Sequence, residues 1–128
     1  MTTALEPRPI GASAIWLQAM RPATLLAGVV PVLVGSAMAA REGAFALLPA
    51  LAALAGALLL QIGCNFANDL FDFLNGADDE NRVGPARMTQ KGHVSVRTMA
   101  WATGVAMGLA VLVGVYLVWV AGWPIVVI

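Results

Sequence analysis

The sequence predicts an all-α fold, a multi-pass transmembrane helical bundle with three spans and the start of a fourth. Three observations carry that prediction. The 128-residue chain is 60% hydrophobic and only 11% charged, whereas a soluble domain carries about 25% charged residues. Charges are missing from 19 positions between Arg21 and Arg41, 26 between Glu42 and Asp69, and 31 after Arg97. Each gap is long enough for a membrane helix, which needs about 20 predominantly apolar residues. Buried helices of a soluble bundle would show a polar outer face, and these stretches show none. Seven Lys/Arg balance seven Asp/Glu, which argues against a nucleic-acid-binding domain and leaves the lipid bilayer as the expected partner. The single Cys64 excludes an internal disulfide framework.

Taken in order, residues 1–15 read as an N-terminal tail. Glu6, Pro7, Arg8 and Pro9 precede any apolar run, which does not suit a cleavable signal peptide. Residues 16–128 follow as the membrane domain, with spans at about 23–40, 44–68 and 99–121 and a loop over 69–97. Gly35 and the many alanines suit close approach of helices within a bilayer. Gly122-Trp123-Pro124 punctuates the last gap, since Pro suits a first helical turn and Trp an interface. Ile125–Ile128 then opens a further span. With the N-terminus inside, Arg8, Arg21, Arg82, Arg87, Lys91 and Arg97 lie on the cytoplasmic side and only Arg41 lies outside. The positive-inside rule therefore expects a cell-membrane protein whose N-terminus and 69–97 loop are cytoplasmic.

The chemistry concentrates at the end of the second span. At about 100° per residue, Asn65, Asn68, Asp69 and Asp72 share one sector of a helix, with Gln61 one turn earlier. Asp78, Asp79 and Glu80 follow Gly76, giving five acidic residues in twelve positions. Such a cluster needs a positive partner. Oxygen ligands on one face fit a hard cation, and Mg²⁺ typically keeps waters while bridging carboxylates to a phosphate. No zinc-type His/Cys spacing is present, and His93 reads as a solvated loop residue. Arg82, Arg87, Lys91 and Arg97 come next. Arg suits phosphate recognition, although these cations also serve as topology signals, the more so for Lys91 and Arg97. Arg21, beside Pro22, fits an interfacial snorkelling residue or a phosphate ligand reaching in from the first span. Phe66, Phe71 and Phe73 flank the cluster, and packing is the plainer role for them than cation–π stabilisation.

The pattern Asn68-Asp69-x-x-Asp72-x-x-x-Gly76-x-Asp78 resembles the first Asp-rich motif of the UbiA superfamily of intramembrane prenyltransferases. Within it, NDLFDFLNGAD, the following ENRVGPARMTQKGHVS and the early RPATLLAGVVPVLVGSAMA resemble the branch that prenylates 1,4-dihydroxy-2-naphthoate in menaquinone biosynthesis. The resemblance covers about Trp16 to Arg97. It implies Mg²⁺ held by Asn68, Asp69, Asp72 and Asp78 on a polyprenyl diphosphate, with Asp69 and Asp72 as the catalytic carboxylates. It also implies Arg21, Arg82, Arg87 and Lys91 as diphosphate ligands and an aromatic acceptor. Members of the family run to roughly nine spans and carry a second Asp-rich motif, so the chain is expected to be an N-terminal fragment, inactive alone. An ion-transport segment is the rival in another class, weakened because the charges gather at one membrane face. A CDP-alcohol phosphotransferase would need an Asp-Gly-x-x-Ala-Arg arrangement that is missing here. A non-catalytic scaffold is the third alternative.

Overall fold

The computed structural model describes residues 9–76, 88–89 and 92–127. The described residues contain no strand, and three helices are long and apolar enough to cross a membrane. The helices are α1 (Ala12–Met20), α2 (Pro22–Arg41), α3 (Leu47–Leu74), α4 (Val96–Ala121) and the short α5 (Pro124–Val127). The charge gaps give no sign of α1. Its first residues fall where the sequence predicts a tail, and nine residues are too few to hold a helix in water unaided. Packing supplies what length does not: Ile15, Trp16, Ala19 and Met20 join the core. The Trp16 ring meets Phe66 edge-on, with centroids 5.6 Å apart.

α3 is the axis of the bundle. It packs most extensively on α4, then on α2, and meets α1 at one end. With 28 residues it is about 42 Å long, against a hydrocarbon layer of about 30 Å. Its last residues, 69–74, extend past the expected end of the span. α4 starts at Ser95, whose Oγ accepts the Thr98 N–H at 3.1 Å. This cap satisfies one of the free donors at the helix start. Pro31 inside α2 removes one helical hydrogen bond, which membrane helices tolerate.

The buried core sits at one end of the bundle. Ala19, Phe66, Leu70, Met88, Val94 and Met99 form it, drawn from α1, the end of α3, the 88–94 turn and the start of α4. Most other large apolar side chains on the spans are exposed, including Leu33, Leu51, Val111 and Trp119, and they suit contact with lipid or further protein. Within the bundle, small residues set helix spacing. A Cβ on Gly28 would lie 3.1 Å from the Ala57 carbonyl oxygen, whereas one on Gly63 would meet the flexible end of Met107 at 3.0 Å. Backbone cannot give way, and a methionine can. Gly28→Ala should therefore lower the unfolding temperature of the protein in detergent, while Gly63→Ala should be nearly neutral. Equal effects of the two changes would contradict this role for the α2–α3 contact.

Candidate functional site

The C-terminal end of α3 carries the polar residues, and the structure sorts them into different jobs. Asn65 is buried at 3% exposure. Its Nδ2 donates to the Met20 carbonyl at 2.7 Å and to Thr24 Oγ1 at 2.8 Å. Those two acceptors bracket Arg21, the single residue between α1 and α2. Arg21 has φ 53° and ψ 71°, the one described non-glycine residue in the left-handed region. Such a conformation costs about 1–3 kcal/mol and persists only where its surroundings impose it. Pro22 adds to the constraint by restricting the residue before it. Here the surroundings are explicit: Arg21 N–H donates to Gln18 O at 3.2 Å, and Arg21 O accepts from Thr24 N and Thr24 Oγ1, both at 2.9 Å. Asn65 thus locks the joint that brings Arg21 beside the polar end of α3. The shared helical sector marks Asn65 in the sequence, but its partners lie more than 40 positions away, so no local pattern announces the lock.

One turn further along, Asp69 is 1% exposed. Its Oδ2 accepts the Met88 N–H at 2.8 Å and its Oδ1 the Thr89 N–H at 3.0 Å. Asn68 is exposed and Asp72 half-buried; at i and i+4 they stand one above the other on the helix. Gln61 is half-buried two turns earlier. Phe66 is in the core, whereas Phe71 and Phe73 are exposed. His93 and Arg97 are exposed. Asp78, Arg82, Arg87 and Lys91 lie outside the described residues.

The question for a divalent ion is what donors stand together. Among the described residues no three His, Cys, Asp or Glu side chains gather in metal-binding geometry. The amide oxygen of Asn68 and the carboxylate of Asp72 offer two hard oxygen donors in line. That fits Mg²⁺, which takes one or two protein oxygens and fills its shell with water and substrate phosphate.

The UbiA prenyltransferase family model matches residues 28–128. The chain belongs to this family. It is 41% identical over 117 residues to 1,4-dihydroxy-2-naphthoate octaprenyltransferase of Escherichia coli, covering 91% of this chain and 38% of that protein. The protein of the same name from Mycobacterium tuberculosis is 38% identical over 102 residues, covering 80% of this chain and 35% of the relative. Its Haemophilus influenzae namesake is 34% identical over 109 residues, with 84% and 35% covered. The chain therefore spans little more than a third of the length of these relatives. No solved structure matches it significantly. Within this family member, Asn65 ties the polar end of α3 to the joint between α1 and α2 through Met20 and Thr24.

Proposed function

We propose that this chain forms the diphosphate-binding end of a membrane prenyltransferase that moves a polyprenyl group onto 1,4-dihydroxy-2-naphthoate. The observation that supports the reading is the i, i+4 placement of Asn68 and Asp72 at the end of α3, next to Asn65, whose bonds to Met20 O and Thr24 Oγ1 hold the backbone on either side of Arg21. Relatives named for this reaction, at 34–41% identity over most of the chain, support the choice of acceptor. Positive-inside counting supports a cytoplasmic placement of this end.

In the proposed reaction the bond between the allylic carbon and the diphosphate oxygen breaks, and its electrons leave with the diphosphate. Arg21, Arg82, Arg87 and Lys91 are the cations proposed to meet that developing charge. Asn68 and Asp72, with Asp78 from the loop that follows, would hold Mg²⁺. When bound, the ion supplies Lewis-acid stabilisation of the leaving group. The electron-rich ring of the acceptor forms the new carbon–carbon bond, and its carboxyl group departs as CO₂ to give the demethylmenaquinone skeleton. The apolar flanks of the spans suit an isoprenoid tail.

The test is direct. Membranes holding the natively encoded protein, in a host lacking its own enzyme, should convert octaprenyl diphosphate and 1,4-dihydroxy-2-naphthoate to a prenylated quinol. Chelation with EDTA should remove that activity, and added Mg²⁺ should restore it. No product at saturating Mg²⁺ would overturn the reading, and full activity in EDTA would overturn the metal assignment.

A further inference from the structure

We propose that Asp69 is a positioning residue, which anchors the turn leading into α4 by receiving two consecutive backbone N–H groups, and that metal ligation at this helix end falls to its neighbours Asn68 and Asp72. The second half rests on the prenyl-transfer reading above; the first stands on geometry alone. The Asp-rich motif points Asp69 at the metal, but its surroundings give it other work. Each of its oxygens is within hydrogen-bond distance of a different amide, Met88 N at 2.8 Å and Thr89 N at 3.0 Å. Donor and acceptor are all inside the protein: Asp69 is 1% exposed, Met88 0% and Thr89 4%. A hydrated Mg²⁺ needs open space at its ligand, and it would compete with N–H groups whose partial positive charge already faces both oxygens. Asn68 is exposed and Asp72 half-buried on the same helix end, whereas Asp69 is enclosed.

The segment receiving this anchor is built to be held. The Met88 carbonyl accepts His93 N at 3.0 Å and Val94 N at 3.4 Å, and Thr89 O accepts Gly92 N at 3.1 Å. Gly92 takes φ 74° to close the turn. Met88 itself is packed with Phe66, Leu70 and Met99. From there Ser95 caps α4. The Asp69 carboxylate is therefore the fastening between the end of α3 and the start of α4.

Hydrogen–deuterium exchange on the natively encoded protein in nanodiscs, with EDTA present and no substrate, tests the anchor without using activity. Asp69→Asn keeps the shape but turns an NH₂ group toward one of the two amides. Exchange in the peptide covering Met88–Val94 should rise about tenfold, the effect of losing one such hydrogen bond. If Asp69→Asn does not accumulate, Asp69→Glu keeps the charge and displaces it, and its exchange should lie between wild type and tenfold. In the active protein, the Mg²⁺ concentration for half-maximal rate should stay within twofold in Asp69→Asn while KM for prenyl diphosphate rises. Unchanged exchange at 88–94 would overturn the anchor, and a tenfold or larger shift in the Mg²⁺ midpoint would return Asp69 to the metal. Should wild type show no prenyl transfer, the functional reading fails and the exchange result still decides the anchor.

Discussion

Asp72→Asn should cut prenyl transfer by roughly a thousandfold, since about 4 kcal/mol of leaving-group stabilisation is lost when a metal site loses its charged ligand. The substitution changes one carboxylate oxygen to an amide at a half-buried position and keeps the size of the side chain. Membrane fractionation should show the variant inserted at the parental level, and its unfolding temperature should match the parent's. The rate loss should appear in kcat and in the Mg²⁺ dependence together, because the same carboxylate serves both. Activity within fivefold of the parent would remove Asp72 from the metal site. It would also leave Asn68 as the one described donor there.

A second large effect is expected at Asn65, through a different route. Asn65→Asp preserves size and removes the donor. Its carboxylate would face the Met20 carbonyl, which now accepts from Asn65 Nδ2 at 2.7 Å, and two acceptors would then oppose each other in a site that is 3% exposed. Leaving such a buried pair unmet costs about 3 kcal/mol. Relaxation of the joint would release Arg21 from its left-handed conformation and move its guanidinium. The expected result is a lower unfolding temperature together with at least a tenfold higher KM for prenyl diphosphate. The KM for the aromatic acceptor should change much less. A variant whose stability falls while both KM values hold would mean that the latch serves folding and does not position Arg21.

The spans are legible in the sequence because a charge-free stretch longer than the hydrocarbon is hard to reconcile with anything but a membrane helix. The helical sector of Asn65, Asn68, Asp69 and Asp72 is legible for a similar reason, as it depends only on helical period. What the period cannot give is which member faces what. Asn65 and Asp69 lie one turn apart on α3, yet one reaches back to the joint before α2 and the other forward to the turn before α4. Both sets of contacts cross long stretches of chain and, apart from Thr24 Oγ1, end on backbone atoms, which any residue type can supply, so the side-chain pattern does little to mark them. α1 is hidden for a related reason. Its helical state depends on Phe66 and the core beneath it, not on its own length.

The length of α3 has one more implication. The polyprenyl diphosphate proposed as substrate is built like a soap, with a multiply charged head on a long greasy chain. A rod about 12 Å longer than the oily layer is thick suits such a molecule under the proposed reading, since one part of it can meet the wet head while the rest lines the dissolved chain.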